Sequence, residues 1–194
     1  MAKYSKAKTA QPTGQVRIIA GKHRGRKLPV LLSDGLRPTT DRVKETVFNW
    51  LTSDIVDARC LDCFAGSGSL GFEALSRGAK EVSFIELSTK VANQLKQNIA
   101  LLKADNATVL NQDVNQYLLQ AKQGFDLVFI DPPFRLGLVE KVVSLLEQQQ
   151  LLNPDALIYI ETESEKGELA VPAHWQLLKQ KVAGQVTYRL YQGG

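Results

Sequence analysis

The chain has 194 residues, of which 44% are hydrophobic and 23% charged, with a net charge of +4. That balance excludes a wholly disordered chain, and the length suits one domain with a substantial core plus short extensions. No apolar run approaches the roughly 20 residues of a membrane span, and the first fifteen residues carry Lys3, Lys6 and Lys8 without the apolar stretch of a secretory signal.

Cys60 and Cys63 are the two cysteines. So close a pair cannot staple distant segments, which excludes a disulfide framework and makes a reducing cytoplasm the expected compartment. Charge is distributed unevenly. Residues 1–45 hold 11 lysines and arginines against Asp34, Asp41 and Glu45, a local excess of eight, and the remainder carries a net −4. One end is therefore suited to meeting a polyanion.

Residues 1–15 lack apolar periodicity and read as a mobile tail. Next, VRIIAG and RKLPVLL flank GKHRG, which predicts a basic β-hairpin extension over residues 16–36 whose loop presents Lys22, His23, Arg24 and Arg26. After Arg37 and Pro38, the residues Thr39, Thr40 and Asp41 supply N-cap chemistry for a helix. Val43, Val47, Phe48 and Leu51 fall on one face of it, with Arg42, Lys44 and Glu45 on the other. From residue 59, RCLDCF, EVSFIE, ATVLN, FDLVFID and ALIYIE alternate with amphipathic stretches over 70–76, 91–102, 114–119 and 138–146. This is the βαβ rhythm of a parallel sheet covered on both faces by helices. WQLLKQKVAG and QVTYRLYQ close the chain as an antiparallel hairpin around Ala183 and Gly184. The expectation is an α/β domain over residues 37–194 with a mostly parallel seven-stranded sheet.

The first of these strands runs into LDCFAGSGSLG. Gly66, Gly68 and Gly71 spell the dinucleotide fingerprint, and Glu86 follows Gly66 by 20 residues, as a ribose-binding acid does. Asp62 at the strand tip separates two readings. A pyrophosphate gains nothing from an anion there, whereas a cofactor carrying an ammonium and a sulfonium does, which favours S-adenosylmethionine over NAD. Glu86 is placed to accept both ribose hydroxyls, and Asp113, after the third strand in LNQD, to accept from the adenine amine or to N-cap a helix.

The fourth strand ends in Asp131, Pro132, Pro133 and Phe134. Two prolines stop the strand and withhold their N–H donors, so the Asp131 side chain and the local carbonyls form a cluster of acceptors. Accepting both protons of a nucleobase amine would draw its nitrogen toward tetrahedral geometry and aim the lone pair at a methyl group. Phe134 would stack on the base once it has left its helix.

Taken together, these motifs resemble those of a known family. FAGSG with DPPF is similar to S-adenosylmethionine-dependent amino methyltransferases, and RIIAGKHRGRKL followed by RPTTDRVKETVFNWL resembles the RsmD family of small-subunit ribosomal RNA guanine-N2 methyltransferases, from about Val16 onward. The resemblance implies a Rossmann-like class I methyltransferase fold with S-adenosyl-L-methionine as cofactor. The cofactor set would be Asp62, Phe64, Ala65, Gly66, Ser67, Gly68, Glu86, Leu87, Asp113 and Asp131, and the residues 131–134 would position the guanine amine. Arg37, Thr39 and Arg42 would join the pocket, while Lys22, Arg24 and Arg26 would hold phosphates. The implied partner is 16S ribosomal RNA, within an assembled or assembling small subunit, met by a monomer.

The residues alone leave other functions open: an adenine-N6 methyltransferase, since DPPF serves any planar amine; an RNA-binding assembly factor with a vestigial cofactor site; and, more distantly, a nicotinamide oxidoreductase. No metal is expected, because CxxC stands without a second pair and His23 and His174 are the two histidines. Trp50 and Trp175 read as core anchors. Ser67 and Ser69 lack a neighbouring base and are not nucleophiles.

Overall fold

A computed structural model of the chain describes residues 14–31 and 40–194, so the expected tail up to residue 13, and Arg37, Pro38 and Thr39, lie outside it. The first element is an antiparallel hairpin of β1 (Gly14–Arg17) and β2 (Lys27–Val30), paired from Gly14 with Val30 to Arg17 with Lys27. β1 starts inside the expected tail, because Gly14 and Gln15 join by backbone pairing that leaves no hydrophobic signature. α1 (Asp41–Trp50) then begins at Thr40, whose hydroxyl accepts from the Val43 amide.

The central sheet follows in alternation: β3 (Arg59–Asp62), α2 (Ser69–Ser76), β4 (Glu81–Ile85), α3 (Thr89–Leu102), β5 (Ala107–Leu110), α4 (Val114–Gln120), β6 (Phe125–Ile130), α5 (Leu138–Gln148) and β7 (Leu152–Glu163). β8 (Gln176–Ala183) and β9 (Val186–Gly193) complete it in the order β5-β4-β3-β6-β7-β9-β8. β3 to β7 run parallel, and β9 is inserted antiparallel between β7 and β8. This is the Rossmann-like class I methyltransferase fold.

Each central strand is buried on both faces, so its residues divide by parity between two cores. Cys60, Phe84, Leu127, Phe129 and Tyr159 face α1, α2 and α3. Leu61, Ile85, Val128, Ile130 and Ile158 face α4 and α5. The N-terminal hairpin shares the first core, since Val16, Ile18, Leu28 and Val30 are buried with the helix residues Val47, Phe48, Phe72 and Leu95. Trp175 is buried in the second, donating Nε1–H to Glu147 at 2.7 Å, and half-buried Trp50 packs on Tyr188.

Polar contacts lock the hairpin to α2. Glu73, fully buried, accepts from the Ile19 and Ala20 amides at 2.8 and 3.0 Å and from Arg77 Nε at 2.8 Å. Lys44, 1% exposed, stands 4.0 Å from Glu73 and donates to the Arg17 carbonyl. Gly21, at φ +77°, lies so close to the end of α2 that a Cβ there would meet the Ser76 carbonyl oxygen at 1.8 Å. Among the described residues no helix is long and apolar enough to cross a membrane.

Candidate active site

In an open parallel sheet, strand order reverses on either side of the first strand, and the loops leaving the carboxyl ends there diverge to form a crevice. Here that point lies between β3 and β6. A cavity of about 730 Å³ opens at these strand ends. It brings together Asp62, Phe64, Ala65, Gly66, Ser67, Glu86, Leu87 and Asp113 with all four residues of the DPPF motif.

Asp62 is 3% exposed, and its Oδ2 accepts from the Gly71 amide at 3.1 Å. Burial raises its carboxyl to about 7. The Gly71 and Phe64 amides oppose that rise, and the Glu86 charge adds to it. Glu86 closes the turn from the next strand, accepting from Gly66 N at 2.9 Å and from Ser88 N at 2.7 Å. Asp113 N-caps α4 through Oδ1, bonded to the Asn115 and Gln116 amides at 2.9 and 3.2 Å. The N-cap alternative therefore holds, and the residue lines the cavity as well.

The glycine turn departs from expectation at one point. Gly66 lines the cavity, whereas Gly68 does not. Gly68 occupies the left-handed region as the N-cap of α2, and a Cβ there would lie 2.4 Å from the Phe72 ring, so its open space is filled by the protein itself. The same holds for Gly71, packed against Phe84. These two glycines shape the turn for helix–strand packing and leave the approach to a ligand to Gly66.

Ser69, at the start of α2, lines the cavity, and its Oγ is buried without a hydrogen-bond partner. A cavity whose lining includes Asp62, Glu86 and an orphaned hydroxyl fits a ligand that is both cationic and rich in hydrogen-bonding groups. S-adenosylmethionine meets that description, with Asp62 suited to its positive charge and Glu86 to its ribose.

On the other side of the crevice, β6 ends at Ile130 as the two prolines require. Asp131 is half-buried, Pro132 buried, Pro133 exposed and Phe134 36% exposed at the rim. The next amide, Arg135 N–H, is held by the Glu163 carboxylate, which fixes the path of the chain after the motif.

The cavity also contains residues that sequence reasoning passed over. Thr40 and Val43 of α1 line it, as do Ala183, Gly184 and Val186 at the β8–β9 turn. Glu161, 6% exposed, lines it too, with Oε1 accepting from the Tyr159 hydroxyl at 2.6 Å. Its signal lay in ALIYIE, another strand ending in an acid. The sequence marks Ala183 and Gly184 as a hairpin turn but not as part of the cavity, which that turn reaches through the pairing of β9 with β7.

The basic residues are placed differently. Lys22, Arg24 and Arg26 are exposed, but none lines the cavity. Their loop meets the far ends of the helices that begin at the site: Lys22 N donates to Ser76 O and Arg26 Nη2 to Leu101 O, at 2.7 and 3.0 Å. At 1.5 Å per residue, these points are about 10 Å and about 18 Å along α2 and α3 from the cavity. The loop therefore does not flank the pocket, because the hairpin docks lengthwise along both helices. Arg42 is exposed in the first turn of α1, outside the cavity lining, and Arg37 and Thr39 lie outside the described residues.

Cys63 falls just past β3, not within it. Both cysteines are buried free thiols, and burial pushes both well above the ordinary thiol range. His174 is exposed and stands 3.4 Å from Glu147. Among the described residues no group of three or more histidines, cysteines and acids is arranged to hold a metal ion.

Known proteins share both the sequence and this architecture. The family described as Conserved hypothetical protein 95 matches residues 16–192. Ribosomal RNA small subunit methyltransferase D of Escherichia coli K12 is 58% identical over 93% of this chain and 91% of its own. The protein of the same name from Haemophilus influenzae is 57% identical over 96% and 98%. The solved structure of Escherichia coli yhhF superposes with a TM-score of 0.87 at 56% identity, covering 92% of this chain and 98% of that one. With a match spanning almost every described residue and identity of this order along nearly the full length of both partners, the chain belongs to the RsmD family.

Proposed function

We propose that the protein transfers a methyl group from S-adenosylmethionine to the exocyclic N2 amine of a guanine in small-subunit ribosomal RNA. The observation that carries this reading is the single cavity shared by the Gly66 turn, the strand-end acids Asp62, Glu86 and Asp113, and the DPPF motif. The names of its relatives, Ribosomal RNA small subunit methyltransferase D, support the class of substrate.

Bound S-adenosylmethionine supplies an electrophilic methyl group on a sulfonium. The chain's own work is positioning. Asp62 and Glu86 hold charge and ribose, with Phe64, Ala65, Ser67 and Leu87 shaping the floor and rim and Asp113 at the adenine end. Asp131 and the Pro132 carbonyl accept the two amine protons, turning the nitrogen lone pair toward the methyl carbon. As the new N–C bond forms, the amine becomes acidic, and Asp131 is placed to take the released proton. Phe134 at the rim stacks on the extruded base.

The hairpin that begins at Gly14 forms the RNA-holding extension, and residues 40–194 belong to the catalytic domain. The buried Glu73 cluster supports this by fixing the hairpin on α2. The substrate on this reading is 16S ribosomal RNA in an assembled or assembling small subunit, met in the cytoplasm by a monomer. Labelled S-adenosylmethionine offered with duplex DNA, naked ribosomal RNA and assembled small subunits tests it, with nucleoside analysis of the product. N2-methylguanosine in RNA is the expected product. N6-methyladenosine as the sole product would replace guanine by adenine, and cofactor binding without turnover would leave an assembly factor.

A further inference from the structure

Beyond the residues assigned so far, the cavity holds a second carboxylate whose place suits it to reading the base. Ile130 of β6 and Ile160 of β7 are paired in parallel register, so the residues that follow them, Asp131 just past the end of β6 and Glu161 still within β7, stand side by side. Neighbouring strands lie about 4.8 Å apart. Both residues share the parity of Phe129 and Tyr159, and both line the cavity, as do Val43, Phe134 and Gly184. Glu161 is 6% exposed, and the hydroxyl of Tyr159, itself fully buried, donates to its Oε1. Burial pushes the Glu161 carboxyl above its ordinary range, and the Tyr159 bond fixes the group and works against that rise. A carboxylate accepts several hydrogen bonds, and a buried one is costly unless donors supply them.

The purine amines differ in what stands beside them. In guanine the N2 amine adjoins N1–H, a donor. In adenine the N6 amine adjoins N1 as a lone pair. Acceptors at Asp131 and Pro132 serve either amine, so they do not choose between the bases. A further acceptor one strand away complements N1–H and repels a bare N1. We infer that Glu161 is the specificity-determining residue of this site, accepting N1–H of the guanine whose N2 amine faces Asp131. This rests on the proposed guanine-N2 reading and deepens it, because it assigns the discrimination against adenine to one side chain.

A site built to hydrogen-bond a substrate N–H rejects an analogue lacking it far more strongly than a site that merely fits its shape. 2-Aminopurine is such an analogue, since it keeps the 2-amino group but carries a lone pair at N1. The test uses the full chain with S-adenosylmethionine and a substrate RNA bearing either guanine or 2-aminopurine at the mapped methylation position. The wild type is expected to show kcat/KM at least about 100-fold lower on 2-aminopurine. Glu161→Gln keeps the side-chain volume and an acceptor for Tyr159, but its amide can turn to donate to a bare N1. It should lose activity on guanine more than on 2-aminopurine and narrow the ratio at least tenfold, with S-adenosylmethionine affinity by calorimetry unchanged. Equal use of both bases by the wild type, or a ratio that Glu161→Gln leaves unaltered, overturns the assignment alone. Failure of the wild type to form N2-methylguanosine at all overturns the proposed function and this assignment with it.

Discussion

Replacing Glu73 by alanine tests how firmly the N-terminal hairpin is built into the catalytic domain. The wild-type carboxylate is fully buried and serves four partners: the Ile19 and Ala20 amides, Arg77 Nε and, at 4.0 Å, the Lys44 ammonium. Burial pulls the Lys44 ammonium down from its ordinary range, while the charges of Glu73 and Asp41 hold it up. In Glu73→Ala the ammonium, 1% exposed, keeps only the Arg17 carbonyl and the more distant Asp41, 3.8 Å away. Removing one member of a buried ion pair costs about 3–5 kcal/mol, and each backbone N–H left without its acceptor adds about 1 kcal/mol. The sum, about 5–7 kcal/mol, is a large share of a typical domain's stability. For a chain of this size it corresponds to a fall in Tm of about 10–28 °C. Differential scanning calorimetry gives the fall, and hydrogen exchange locates it, with lost protection expected first at residues 16–30. A Tm within about 3 °C of wild type, or deprotection spread evenly over the sheet, would refute the clamp.

Asp131→Ala should keep S-adenosylmethionine affinity within a few-fold while lowering methyl transfer by about 10²–10⁴; turnover near the wild-type rate would remove Asp131 from the chemistry. Replacing Lys22, Arg24 and Arg26 together by alanine should lower the log–log salt dependence of RNA binding by about 2–3 without changing cofactor affinity. Because their loop is about 18 Å along α3 from the cavity, the effect should vanish on fragments extending fewer than about five nucleotides from the target base; an equal effect on short and long RNA would contradict the hairpin's orientation. Asp62 supplies a pH signature. Its carboxyl is raised from 3.8 to about 7 in the folded protein, so the native state retains a proton that the unfolded chain has already released. This contribution is fully present below pH 4 and is lost as pH rises through 7, up to about 4 kcal/mol. Asp62→Asn cannot ionise, and chemical denaturation of the free protein at pH 4–8 should show a flatter dependence; parallel curves would show that Asp62 is not held in its protonated form.

Local chemistry is written in the chain wherever a few adjacent residues decide the outcome. Alternating apolar runs and amphipathic stretches determine a doubly wound sheet, because strands buried on both faces need continuous apolar sequence. Thr40 and Asp113 announce their helices, since an N-cap needs only a side-chain oxygen and the next few amides. The DPPF turn is likewise local: proline stops β6 at Ile130 without help from elsewhere. Tertiary structure decided what depends on distant partners. Gly68 reads as space for a ligand until Phe72 is found filling it. The loop of Lys22, Arg24 and Arg26 reads as a basic surface for phosphates, but where it sits is set by Glu73 and Ser76, more than fifty residues away in sequence, which lay the hairpin lengthwise along α2 and carry those cations to its far end. Glu161 reads as one more acid in an apolar strand. The parallel register of β6 and β7 brings it level with Asp131, and the Tyr159 hydroxyl fixes the orientation of its carboxyl group. Burial and register are sums over contacts between segments, and no window of sequence short enough to read contains both partners.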